Sequence, residues 1–184
     1  LPRQKKFPRD TFRQIRKFGK WYIFEYTRVL PRAFLVDSIH IERDPQRVID
    51  KIFDSGLDLS KSVVLEEHLP FELTSIEEIG GASNSFVTIN LYEPQKIEIA
   101  VKTNKAKLLF LSDTYYPGWE VLVDNVPSKI YRANFAFRGV AIPKGEHTVT
   151  FTYKPAMFAI GGTISIFSLF LTLMVFVLLY LRKK

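Results

Sequence analysis

The sequence predicts a mainly β protein, an antiparallel β-sandwich with one short helix, followed by a single C-terminal transmembrane α-helix. Three observations carry that expectation. From Ser85 to Tyr153, short apolar-alternating segments succeed one another with connections too short for helical crossovers. Pro155 to Leu181 then runs 27 residues without a charge. Arg182-Lys183-Lys184 follows at once.

Along the chain, Trp21 to Glu25 and Ala33 to Glu42 are rich in aromatic and β-branched residues and are predicted strands. Asp44-Pro45 opens a helix, with Asp as cap and Pro at the first helical position. Val48, Ile49, Ile52 and Phe53 recur at helical spacing until Gly56 stops it. Ser62 to Glu66 is a short strand, and Glu77 to Ser85, with Gly80-Gly81, is a flexible connector. Val87, Ile89 and Leu91 alternate with polar residues, as do Ile97, Ile99 and Val101. Leu108 to Leu111 is apolar throughout, the pattern of a strand covered on both faces. Trp119, Val121 and Val123 share one face; Asp124-Asn125 is a tight hairpin turn. Phe135 and Phe137 fall out of phase with Val140 and Ile142, which predicts a bulge at Gly139. Lys144-Gly145 turns the chain into a last strand whose Val149, Phe151 and Tyr153 face inward.

The apolar tail is long enough to cross a hydrocarbon core about 30 Å thick, which a helix spans in about 20 residues. Its Ser and Thr hydroxyls can bond back to helix carbonyls. The run is C-terminal and closes on cations, unlike a secretory signal or a cleaved lipid-anchor signal. The positive-inside tendency keeps residues 182–184 cytoplasmic and puts the β-domain outside the plasma membrane. The domain expectation is therefore residues 1–84 as a basic segment and α/β part packed on the sandwich, 85–154 as sandwich strands, 155–181 as the span and 182–184 as a basic tail. The chain begins at Leu1 rather than Met, so further sequence is expected upstream.

Charge is lopsided. The net formal charge is +7, and residues 1–20 alone hold eight of the 26 Lys and Arg against one of the 19 Asp and Glu. No recognition motif for nucleic acid accompanies that end. Attraction to anionic lipid headgroups or an anionic wall polymer is one reading. A solvated basic surface with Phe7, Phe12, Ile15 and Phe18 packing beneath it is the other. Cysteine is absent, which removes disulfides, thiolate nucleophiles and Cys-based metal sites. His40, His68 and His147 stand far apart, and neither a phosphate-binding glycine loop nor a Gly-x-Ser-x-Gly elbow occurs. No cofactor, metal or catalytic residue is expected within this segment.

Longer wording carries more. Leu111-Ser112-Asp113-Thr114-Tyr115-Tyr116-Pro117-Gly118-Trp119, Val123-Asp124, Arg132 to Val140, Pro143-Lys144-Gly145-Glu146-His147 and Tyr153-Lys154-Pro155 follow in order. Leu30-Pro31-Arg32-Ala33-Phe34 and Ser62 to Glu66 fit the same pattern upstream. This succession resembles the C-terminal part of YfhO-type bacterial membrane proteins, long polytopic proteins of the GT-C glycosyltransferase kind. Asn125 departs from the glycine usual in that family's hairpin, though Asn also tolerates positive φ. The resemblance implies an outward β-rich domain before a last membrane helix. It also implies that the family's presumed catalytic carboxylates and its other membrane helices lie outside this segment.

Asp113, Tyr115, Tyr116, Trp119 and Asp124 lie on and beside one hairpin loop. Aromatic faces stack on apolar sugar faces, and carboxylates accept hydroxyl protons. The same residues also suit a purely structural role, Asp113 holding turn amides and Trp119 rooting the core as its largest buried side chain. Arg32, Arg132 and Arg138 have the planar fork that pairs with phosphate, and Arg32 suits a backbone carbonyl or Asp37 equally well. Two functions remain open at this point. One is the outward domain and anchor of a YfhO-like glycosyltransferase, positioning a lipid-linked sugar donor or a wall-polymer acceptor beside the parent's other helices. The other is a stand-alone membrane-anchored module that binds a wall polymer or carbohydrate.

Overall fold

The computed structural model describes residues 11–54, 56–69 and 85–183. The first ten residues with Phe7, most of the connector expected at 77–85, and Lys184 lie outside the described residues. The chain divides into two compact units, Leu1–Arg32 and Ala33–Lys184.

In the first unit, β1 (Phe12–Phe18) and β2 (Trp21–Tyr26) form an antiparallel hairpin turning at Gly19, whose φ is 54°. Arg13 pairs with Glu25 across it, and the Phe12 and Tyr26 rings lie 5.3 Å apart. The expectation of Ile15 and Phe18 packed under a basic surface does not hold: they are 57% and 51% exposed. A two-stranded hairpin has no second layer to cover its side chains. Cations lie on the rings instead, with the Arg16 guanidinium 4.5 Å from the Phe18 centroid.

The second unit holds two sheets. Its elements are β3 (Ala33–Val36), β4 (Ser38–Ile41), α1 (Pro45–Ile52), β5 (Ser62–Leu65), β6 (Phe86–Tyr92), β7 (Lys96–Thr103), β8 (Lys107–Thr114), β9 (Trp119–Val123), β10 (Val126–Ser128), β11 (Ile130–Ala133), β12 (Phe137–Ile142), β13 (Gly145–Tyr153) and α2 (Ala156–Arg182). One sheet runs β10-β9-β13-β7-β6 and the other β3-β8-β12-β11-β5-β4. Ile97, Ile99, Val121, Val149 and Phe151 from the first face Leu109, Leu111, Val140 and Ile142 from the second, a sandwich core as the alternation predicts. Leu108 and Phe110 point the other way, into a second cluster with Val36, Val63, Leu65 and Tyr131, so β8 is buried on both faces.

Three departures have physical causes. The run Ala33 to Glu42 is two strands, not one. β3 and β4 are opposite edges of the six-stranded sheet, yet only Asp37 separates them. One residue bridges at most about 7 Å between flanking Cα atoms, so the two edges meet and the sheet curls around the second cluster. Asp37 at the corner accepts a 2.6 Å hydrogen bond from the buried Lys107 ammonium. Secondly, β4 and β5 pair in parallel, an exception to the antiparallel expectation. The α1 connection is long enough for that crossover, with Asp44 capping the Arg47 amide and Val48 fully buried. Thirdly, the irregularity expected at Gly139 lies beside it. Arg138 pairs with Leu111 and Phe137 with Thr114, so Ser112 and Asp113 are the extra residues, on β8.

α2 is long and apolar enough to cross a bilayer over Ile160–Arg182. Its Ser165, Ser168 and Thr172 hydroxyls bond back to carbonyls four residues earlier. Between β13 and α2 stand only Lys154 and Pro155.

Candidate functional site

Four strand ends and one turn converge where β13 leads into α2. Trp119 at the start of β9 pairs with Tyr153 at the end of β13, and their rings lie 5.3 Å apart. Thr114 closes β8 opposite Phe137, which opens β12. The turn from β6 to β7 docks alongside, the Tyr153 amide donating to the Gln95 carbonyl at 2.9 Å. Gly118, at φ 99°, lets the loop pass so close to Tyr153 and Pro155 that its carbonyl accepts the Lys154 amide at 2.6 Å.

The two extra residues on β8 set the chemistry. They aim Asp113 at Arg138, whose Nη2 lies 3.5 Å from Asp113 Oδ2 and whose Nε donates to the Asp113 carbonyl at 3.5 Å. The Tyr92 hydroxyl donates to the same carboxylate, 3.0 and 3.2 Å from its two oxygens. The Arg138 side chain is only 4% exposed, and its guanidinium lies 4.1 Å from the Trp119 centroid and 5.4 Å from that of Phe151. Burial pulls its pKa below the usual arginine value, and the Asp113 charge opposes that pull. Nη1 is buried and has no hydrogen-bond partner among the described residues. Such a donor costs free energy until an acceptor reaches it.

Two clefts, of about 690 and 590 Å³, flank this arginine and share Tyr116, Trp119 and Arg138. Tyr92, Asp113 and Tyr153 line the first; Tyr115 and Ile130 line the second. Trp119 is half-buried rather than the core's largest buried side chain, a place taken by Phe151. Arg138 covers the ring where core side chains were expected.

The structure thus brings Asp113, Tyr116, Trp119 and Arg138 together. Tyr115 and Arg132 flank them: Arg132 pairs across the ladder with Arg138 and so shares its face. The Arg132 guanidinium lies 5.0 Å from the Phe135 ring and 6.0 Å from that of Tyr115, with Nη1 3.4 Å from Glu66 Oε1. Asp124 stands apart, at the far end of β9, roughly 17 Å along the strand from Trp119. There its carboxylate takes the Thr148 amide at 2.8 Å and lies 2.6 Å from His147 Nδ1. Those two contacts hold the Asp124 carboxyl below the usual range. Asp113 and Asp124, at opposite ends, do not form the close carboxylate pair a glycosidase uses.

Tyr92 was not singled out from the sequence. A register shift between Ile89 and Leu91 sets it opposite Ile97, and it stays 51% exposed while its hydroxyl reaches Asp113. Among the described residues, no cluster of three His, Asp or Glu stands ready for a metal.

A β-rich body with an aromatic, arginine-floored cleft is tied by two residues to a helix long and apolar enough to cross a membrane. Residues 77–165 match the family described as bacterial membrane protein YfhO. A protein of Bacillus subtilis (strain 168), described as uncharacterized protein YfhO, is 29% identical over 93 residues, half of this chain. The chain spans 10% of that relative's length. No solved structure matches. Over the matched stretch the chain is similar to YfhO-type bacterial membrane proteins, as its motifs suggested.

Proposed function

We propose that this chain is the extracytoplasmic domain and terminal anchor of a YfhO-like membrane glycosyltransferase. It positions a lipid-linked sugar donor or a wall-polymer acceptor at the bilayer surface and supplies no catalytic group itself. One observation carries the reading. The cleft around Arg138 opens at the end of the sandwich where β13 runs through Lys154-Pro155 into α2. A headgroup held there stays beside the membrane that anchors its lipid. The cations after the span, Arg182 and Lys183, favour a cytoplasmic C-terminus and hence an outward β-domain.

This chain has no cysteine, so in a parent protein cleared of cysteines elsewhere single cysteines placed here report topology without background. In intact cells carrying the whole parent protein, Asn125→Cys should react with a membrane-impermeant maleimide. Lys184→Cys should react only after permeabilisation. The reverse pattern refutes the orientation. In the same protein Tyr116→Ala should lower sugar transfer to the wall polymer; unchanged transfer removes the cleft from the reaction.

A further inference from the structure

We infer that the cleft at Arg138 recognises an uncharged pyranose ring and not a phosphate. This rests on the positioning role proposed above and names the moiety that is held.

Phosphate recognition calls for surplus positive charge with forked donors free to pair. Here the one cation of the cleft floor already has Asp113 beside it at 3.5 Å, and Glu93 adds a second carboxylate to the lining. A phosphate dianion brought to Arg138 meets both. The neighbouring Arg132 offers no surplus either, since Glu66 stands 3.4 Å from it. What lies at the floor is Arg138, a residue only 3% exposed whose Nη1 is buried and has no hydrogen-bond partner among the described residues. A sugar hydroxyl accepts from such a donor without bringing charge into a partly desolvated site. The walls suit a ring: Tyr116, 60% exposed, lines both the 590 and 690 Å³ clefts with Trp119, and Tyr153 lines the larger. Aromatic faces with one directional donor form a site for a neutral amphipathic ring.

The test uses the full chain in lipid nanodiscs, with methyl hexopyranosides and inorganic phosphate as probes and saturation-transfer NMR as readout. Saturable transfer to the hexoside ring protons is expected in the millimolar range, unaffected by phosphate. Tyr116→Ala, at an exposed position, should weaken it roughly two- to tenfold, the loss expected of one aromatic face. Arg138→Lys should abolish it. Competition by phosphate overturns the inference while leaving a headgroup-positioning role intact. Absence of binding by either probe overturns both. Hexoside binding that Tyr116→Ala leaves unchanged places the sugar elsewhere and also overturns it.

Discussion

The Asp113–Arg138 pair should behave as one energetic unit. Their side chains are 11% and 4% exposed, so solvent screens them little. Removing one partner of a buried pair costs about 3–5 kcal/mol, because the other charge stays behind uncompensated. The 3.5 Å separation is longer than a tight charge-assisted bond, which places each loss near the lower bound. Arg138→Met keeps the stem on Trp119 and Phe151 and leaves Asp113 only the Tyr92 hydroxyl among these contacts. About 3 kcal/mol should be lost. Asp113→Asn keeps the shape but strands the guanidinium, again at about 3 kcal/mol. The double variant buries no unpaired charge and should lose only about 3–4 kcal/mol in total, a coupling of about 2–3 kcal/mol. Guanidinium unfolding of the full chain in nanodiscs measures this. Trp119 fluorescence serves as the probe once Trp21, the other tryptophan, is Phe. Losses that add within about 0.5 kcal/mol would refute the pairing as the organiser of the cleft.

Other perturbations separate local causes. Asn134, at φ 45°, accepts the buried Val64 amide at 2.8 Å and so stitches β11 to β5. Asn134→Gly keeps the turn but strands that N–H, at about 1–3 kcal/mol; Asn134→Ala adds turn strain and should cost more, by the same unfolding assay. At Gly118 a Cβ would lie 3.0 Å from the Tyr153 ring and 3.2 Å from the Pro155 backbone. Gly118→Ala should therefore lower the melting temperature by several degrees, and an unchanged melt sinks the close-approach argument. Asp124 has a folded pKa below its unfolded value of about 3.9, so its contribution is present above that pH. It fades as pH falls through the folded value. The stability gap between the native chain and Asp124→Asn should close across that acid window, and a constant gap contradicts the linkage.

Most strands were legible because their core faces follow a strict period of two: Ile97, Ile99 and Val101 are buried as their alternation requires. The helix at Pro45 was legible from its cap, and the Asp124-Asn125 turn, at φ 52° and 66°, from its chemistry. Where pairing breaks period, reading failed. A shift near Asn90 sets Tyr92 opposite Ile97, where its hydroxyl reaches Asp113, and two added residues at Ser112–Asp113 aim a carboxylate at Arg138. Neither is encoded by a glycine or proline, the usual local marks of a bulge. The meeting of β3 with β4 was equally hidden, since a single Asp37 between apolar runs looks like one strand interrupted. The Asp113, Tyr116 and Trp119 part of the site was found only because those residues share one loop.

Stability alone does not account for Arg138. Its neighbours on the same face of β12, Val140 and Ile142, are fully buried aliphatics, and an apolar side chain would continue that series without desolvating a charge. Instead the fold buries a guanidinium against two rings, balances it with an acid from an irregular strand, and leaves Nη1 without an acceptor. Irregular strand pairing of this kind is over-represented beside functional sites, where it re-aims a side chain. An unmet donor between two clefts is a cost that packing does not recover. A ligand oxygen would recover it. The cleft's position follows from the same topology, because Trp119, Tyr153 and the turn at Gln95 lie at the strand ends nearest α2. A binding surface at the far end, where Asp124 lies against His147 Nδ1, would lie roughly the length of β9 further from α2.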